Sequence, residues 1–180
     1  MKVIFLDHDG VICLSNNWGG RYKKKGYDSN PETPMDTRMD SFDEKAVKVL
    51  NSIIENTGCE IVVSSDWKRW GTLEQMQEMY IKRGIKPPID LTPNLQECSV
   101  HGNTFIWSRE WDLEQTRSIE IKQYLHDHPE ITHWVAVDDL DMSDEEGWKN
   151  WGLNNFVLTP KSSEGIKQCG IKERILKYLQ

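Results

Sequence analysis

The chain has 180 residues, 37% of them apolar and 28% charged, with a formal net charge of −7 at pH 7. That length suits one domain with its own core, and no stretch approaches the roughly 18 apolar residues of a membrane span. The acidic balance excludes a protein that coats nucleic acid by bulk positive charge, while leaving room for a local basic patch.

"MKVIFL" opens the chain as a buried strand. Its continuation "MKVIFLD" turns acidic too soon for a secretory leader, so the expected location is the cytoplasm. Residues 13–40 are rich in Gly, Asn, Pro and charge and read as a long loop or a minimal cap. Ser41 and Glu44 have capping-box spacing, Ala46, Val47, Val49, Leu50, Ile53 and Ile54 give a first helix its apolar face, and Gly58 is placed to stop it. "CEIVVSS" is a β-branched run of the buried parallel type. Thr72 and Gln75 mark the start of a helix that runs to Gly84. Residues 85–113 hold "KPP", "TPN" and "HGN" and read as loop with a short strand or two. A further helix spans about Leu113 to His126, with Ile119, Ile121, Tyr124 and Leu125 as its apolar side. "THWVAVDD" is a third core strand, "NNFVLT" a fourth and "IKERILKYL" a terminal helix. This alternation predicts one α/β domain over residues 1–180, a three-layer sandwich around a mostly parallel, Rossmann-like sheet. Cys13, Cys59, Cys98 and Cys169 are scattered without CxxC or close Cys/His pairing, and read as reduced, buried or half-buried side chains.

Ligands of an open parallel sheet bind at the carboxyl ends of its strands. The first strand ends in Asp7, His8 and Asp9, the second in Ser64, Ser65 and Asp66, and the third in Asp138 and Asp139, with Asp141 just beyond. Carboxylates this close repel one another and persist only with a cation or a shared proton between them. An all-oxygen set suits a hard divalent ion, Mg²⁺ best, which takes one or two carboxylates together with waters and substrate phosphate. Strand alternation sends His8 to the opposite side from Asp7 and Asp9.

"DHDGV", "IVVSS" and "WVAVDD", in that order and each on a predicted strand end, resemble the first, second and fourth motifs of the haloacid dehalogenase superfamily of phosphohydrolases. The resemblance covers nearly the whole chain and implies a haloacid-dehalogenase-like fold. It assigns the nucleophile to Asp7, which would form an aspartyl-phosphate, and proton transfer to Asp9, lifted over the substrate by the turn at Gly10. Mg²⁺ would be held by Asp7, the backbone carbonyl of Asp9 and the Asp138/Asp139 pair, with Asp139 the preferred direct ligand. Asp141 stands equally as an outer-shell acid or a solvated loop residue. Ser64, helped by backbone N–H groups such as that of Ser65, would bind a phosphate oxygen. The third motif, a cation near the start of the helix before the acidic strand, matches Arg117 or Lys122, with Arg117 preferred for its earlier position.

Neither insertion point for a large cap is filled, so the predicted site is open and suits polynucleotide ends or phosphoproteins, while admitting small phosphomonoesters. "WGGRYKKKGY" places Arg21, Lys23, Lys24 and Lys25 among aromatics, a composition that fits both a phosphate- and base-gripping loop and a solvated lid. Trp67, Trp70, Trp107 and Trp111 are candidates for the rim of the site or for simple packing. "VVSSDWKRW", "RSIEI" and "VAVDDLD" resemble the haloacid-dehalogenase-type domain of Swiss-army-knife RNA repair proteins and, more distantly, polynucleotide 3'-phosphatases. Asp66 and Lys68 depart from the Ser and Arg more common at those places. The expected activity is therefore hydrolysis of a phosphomonoester, with a nucleic-acid 3'-phosphate end as one candidate substrate and a small-molecule phosphate or nucleotide as the alternative. A receiver-type phosphoacceptor fits less well, because its acids lie on other strands, and an inactive binding module would not need the full set of acids.

Overall fold

The computed structural model describes residues 1–16, 30, 32–95, 98–101, 104–107, 112–144, 147 and 149–180, with backbone only for 98–101 and 104–107. The basic loop with Arg21, Lys23, Lys24 and Lys25, and the side chains of Cys98, Trp107 and Trp111, lie outside the described residues.

Five strands, β1 (Lys2–Leu6), β2 (Glu60–Val63), β3 (Asp90–Leu91), β6 (His133–Asp138) and β7 (Phe156–Leu158), form one sheet in the order β3-β2-β1-β6-β7, every pairing parallel. Between β3 and β6, β4 (Cys98–His101) and β5 (Thr104–Trp107) pair antiparallel as a separate ribbon. The helices are α1 (Met35–Arg38), α2 (Glu44–Thr57), α3 (Leu73–Lys82), α4 (Leu113–Asp127) and α5 (Ile171–Leu179).

The central strand β1 is apolar without alternation because both its faces are covered. Ile4 and Leu6 join Leu50 and Ile53 of α2, Met76 and Tyr80 of α3 and Ile175 of α5 on one side. Val3 and Phe5 meet Ile121 and Tyr124 of α4 and Phe156 on the other, giving the expected three layers. Each fully buried aliphatic or aromatic side chain contributes about 1.5–3 kcal/mol, so this strand is the energetic centre of the domain.

Local signals hold in most places. Thr72 and Gln75 form the complete capping box of α3, and Gly58 ends α2 in the left-handed conformation at φ 69°. The start of α2 corrects the sequence reading: Asp43, not Ser41, is the cap, accepting the Ala46 N–H at 2.8 Å. The predicted loop at 13–40 also contains α1, whose Met35 is buried in the core. Arg83 ties α1 and the chain that follows it onto α3 through the carbonyls of Asp36, Met39 and Asp40. Among the described residues no helix is long and apolar enough to cross a membrane.

Candidate active site

Ladder hydrogen bonds continue one residue past the strands and bring three chain segments to one edge. The Asp7 N–H donates to Val137 at 3.1 Å, the Ser64 N–H to Leu6 at 2.9 Å, and the Thr159 N–H to Asp138 at 2.9 Å. After Asp7 the chain closes a tight turn in which the amides of Val11, Ile12 and Cys13 all point at the His8 carbonyl, at 3.2, 2.9 and 2.7 Å. Gly10 holds φ 73° in this turn, and a Cβ placed there would lie 2.2 Å from Asp139 Oδ2. Glycine is therefore required twice over, for its backbone angle and for the approach of the acid.

Asp7, Asp138 and Asp139 each offer a carboxylate oxygen, and those atoms all lie within 4.8 Å of one another. Asp7 and Asp138 are buried. Arg117, reaching up from α4, is the cation among them: its guanidinium is 2.8 Å from Asp138 and 3.4 Å from both Asp7 and Asp66. Burial and the negative charge of Asp138 push the Asp7 carboxyl well above the ordinary carboxylate range, with Arg117 only partly opposing them. Burial likewise raises Asp138 to about 6 against the pull of Arg117. Although burial works the other way, the charges of Asp7, Asp138 and Asp66 hold Arg117 protonated more firmly than usual. The cluster thus carries more negative charge than one guanidinium offsets, and its donors are hard oxygens throughout, a set that fits a divalent cation of the Mg²⁺ type.

The expected phosphate-binding residues separate clearly. Ser64 is buried and its hydroxyl has no hydrogen-bond partner among the described residues, an orphaned polar atom beside the acids. Ser65 instead caps the 3-10 turn Asp66–Arg69, its hydroxyl facing the Trp67 N–H at 3.4 Å. Arg117 sits among the acids, whereas Lys122 lies at the surface and donates to the Asn150 carbonyl at 3.2 Å. Of the two cations only Arg117 joins the site, because α4 places its first turns, not its middle, at the sheet edge. Asp9 is half-buried, and its Oδ2 accepts the Trp67 indole N–H at 3.1 Å. Asp138 uses one oxygen on Arg117 and the other on the Leu140 N–H at 2.9 Å. Asp141 is exposed and accepts from the Ser143 N–H and hydroxyl, the behaviour of a turn former. His8 points away from the acids, as alternation requires, and pairs with the Tyr80 hydroxyl at 2.6 Å.

Two features escaped the sequence reading. Lys68 and Glu120 form a buried ion pair at 2.5 Å, in which Lys68 also donates to Thr92 and Pro93 and Glu120 accepts the Leu95 N–H. The other is the Trp67 contact with Asp9; the clue available for both was a cluster of long cations and indoles, "DWKRW", directly after a strand end. A cavity of about 570 Å³ beside the chain that leaves the turn after Asp7 is lined by Cys13, Ser15, Asp40, Phe42 and Lys167, and by none of the clustered acids.

Comparison with known proteins returns one family, described as the HAD domain in Swiss Army Knife RNA repair proteins, whose model matches residues 3–169. No curated protein and no solved structure matches the chain significantly.

Proposed function

The chain belongs to the family of the HAD domain in Swiss Army Knife RNA repair proteins, a membership that implies hydrolase chemistry of the phosphatase type, and from it we propose a Mg²⁺-dependent phosphomonoester hydrolase that works through an aspartyl-phosphate on Asp7. The observation that carries this reading is the convergence of Asp7, Asp138 and Asp139 within 4.8 Å at the end of the central strand, next to the unpartnered Ser64 hydroxyl.

Asp7, Asp139 and the backbone carbonyl of Asp9 would hold Mg²⁺, with Asp138, already engaged by Arg117 and the Leu140 N–H, behind them. Bound there, the ion supplies neutralisation of the phosphate's charge. The chain's own groups do the rest. Arg117 partly opposes the burial that raises the Asp7 carboxyl, favouring its ionised form, and lies 3.4 Å from it. Ser64 donates its free hydroxyl to a phosphate oxygen. An Asp7 oxygen bonds to phosphorus as the bond to the ester oxygen breaks, and Asp9 gives that departing oxygen a proton. Water then attacks phosphorus, its proton passes to Asp9, and the Asp7–phosphorus bond breaks to release phosphate.

The substrate favoured within this reading is a nucleic-acid 3'-phosphate end. The family's RNA repair description supports it, as do Arg21, Lys23, Lys24 and Lys25 in the sequence leaving the catalytic turn. A phosphomonoester panel assayed with Mg²⁺ and with chelator tests the activity, and Asp7→Asn is expected to abolish turnover. Efficiency on a 3'-phosphorylated oligonucleotide no better than on free nucleotides would redirect the substrate to small phosphates. A stable phosphoryl mark without turnover would instead favour the receiver-type reading.

A further inference from the structure

Three acids share the Arg117 guanidinium, and they differ in their access to solvent. Nη1 serves Asp138 at 2.8 Å and Asp7 at 3.4 Å, whose side chains are 2% and 3% exposed. Nη2 faces Asp66 Oδ2 at 3.4 Å, and that side chain is 44% exposed. The arginine cannot follow a ligand outward: it lies buried on α4 beside the buried Thr116, Ser118 and Glu120, and Glu120 is held by Lys68. Nor can the Asp66 backbone move far. It opens the 3-10 turn Asp66–Arg69, which Ser65 caps, and in that turn the Lys68 N–H donates to the Ser65 carbonyl at 3.1 Å while the Lys68 ammonium is anchored on Glu120, Thr92 and Pro93. What remains is rotation of the Asp66 side chain, and a second cation faces its other oxygen, with Arg69 Nε 3.7 Å from Oδ1. Asp66 can therefore leave Arg117 and stay beside positive charge.

We infer that Asp66 is an internal competitor for phosphate: it holds Nη2 of Arg117 until the phosphate group of an ester displaces it, and its return favours release of the phosphate product. The inference rests on the phosphohydrolase reading and adds to it a residue that sets how tightly the site holds phosphate. Nη1 is committed to two buried carboxylates, so Nη2 is the nitrogen whose partner an anion from solvent can replace. A half-exposed carboxylate at 3.4 Å makes a contact of the weak kind, whereas a phosphate dianion brings several strong acceptor oxygens to the same guanidinium. No covalent bond changes in this exchange. Once displaced, the Asp66 carboxylate still lies near the phosphate and repels it. Competition and repulsion both weaken the hold on phosphate, which in a hydrolase limits inhibition by its own product.

Binding of inorganic phosphate is the test, measured by calorimetry in the presence of Mg²⁺ and by competitive inhibition of para-nitrophenyl phosphate turnover. Asp66→Asn keeps the shape of the side chain and removes its charge. It is expected to bind phosphate about 3- to 10-fold more tightly than wild type, from loss of the competing pair and of the like-charge repulsion together. Asp66→Ser removes the carboxylate altogether, covers the case in which the asparagine variant folds poorly, and is expected to tighten binding by a similar factor. Asp141→Asn is the control. It removes the same charge from an exposed acid on the same sheet edge that bonds to Ser143 instead, and is expected to change phosphate affinity by about twofold or less. Equal tightening in Asp66→Asn and Asp141→Asn would assign the effect to net charge and overturn the inference, as would unchanged or weaker phosphate binding in the Asp66 variants. Either result leaves the phosphohydrolase reading standing. A wild-type protein that neither binds phosphate nor turns over a phosphomonoester overturns both.

Discussion

Gly10 gives the sharpest test of how the acids are brought together. Alanine there meets two penalties. Its backbone at φ 73° is in the left-handed region, a cost of about 1–2 kcal/mol for a residue with a Cβ. Its Cβ would also lie 2.2, 2.6 and 2.7 Å from Oδ2, Cγ and Cβ of Asp139. Because the overlap includes the Asp139 Cβ, rotating the carboxylate cannot relieve it; one backbone must move. Gly10 is held by its N–H to Cys13 at 2.9 Å and by the Thr159 hydroxyl on its carbonyl at 3.1 Å, so Asp139 yields. Overpacking of this kind adds about 1–3 kcal/mol. Gly58 supplies the control, with nearly the same angle, φ 69°, and nothing within 4 Å of a built Cβ. Gly58→Ala isolates the backbone cost, and Gly10→Ala is expected to melt lower than it by about 2–12 °C, at roughly 2–4 °C per kcal/mol for a chain of this size. Thermal unfolding of both variants, followed by Mg²⁺ titration of turnover, checks it: only Gly10→Ala should need more Mg²⁺. Equal melting temperatures for the two variants would refute the close packing of Asp139 on the turn.

Ser64→Ala removes a hydroxyl that bonds to none of the described residues, so its melting temperature is expected to stay near wild type while kcat/KM on a phosphomonoester falls by about 10²- to 10³-fold, the loss seen when one transition-state donor is removed. Chemical denaturation of Glu120→Gln or Lys68→Met is expected to show a loss of about 3–5 kcal/mol, because each strands a buried charge, whereas the double replacement Lys68→Met/Glu120→Leu should recover much of it. His8 adds a pH dependence to stability. Burial, then Arg83 and Arg117, lower its pKa from 6.5 to about 3, so between those values the unfolded chain binds a proton that the folded chain refuses. Stability at this site is complete above pH 6.5 and lost as pH falls toward 3, about 5 kcal/mol in all. Urea titrations from pH 7 to pH 4 should therefore show a shallower decline for His8→Gln than for wild type.

What the sequence disclosed and what it hid divide along a physical line. Strands β1, β2 and β6 were legible because burial on both faces forces unbroken apolar runs, and the acids were legible because such runs have no local reason to end in Asp7, Ser64 and Asp138. Helix α3 was legible from Thr72 and Gln75, whose reciprocal bonds need only local chain. Helix α4 was read by its apolar positions, yet it also buries Thr116, Arg117, Ser118 and Glu120. A pattern rule assigns charged residues to solvent, and only the sheet edge, with Asp138 waiting for Arg117 and Lys68 for Glu120, reverses that. The Asp43 cap was missed for a similar reason: Ser41 has the standard spacing, but Lys167 from the far end of the chain pairs with Asp43 at 3.0 Å and helps fix the cap two residues later.

The two buried ionic clusters of this chain separate structure from chemistry. Lys68 and Glu120 balance charge for charge, and their remaining hydrogen-bonding capacity goes to Thr92, Pro93 and Leu95. Such a pair has nothing left to offer a ligand, and it ties the 3-10 turn, the end of β3 and α4 into one body. The other cluster sits one helical turn earlier on the same α4 and is left unbalanced. Arg117 is divided among Asp7, Asp138 and Asp66, while Asp139 adds charge and Ser64 keeps an unused donor. Burial raises the carboxyls of Asp7 and Asp138 because the one guanidinium beside them only partly offsets it. A fold stable enough to hold that deficit gains a site where an arriving cation and a phosphate are each worth more than in water, since the groups that receive them are already fixed and dehydrated. The rigid pair is what makes the deficient one tolerable: α4 is pinned at Glu120, so Arg117, three residues before it, cannot swing out toward solvent to relieve the acids.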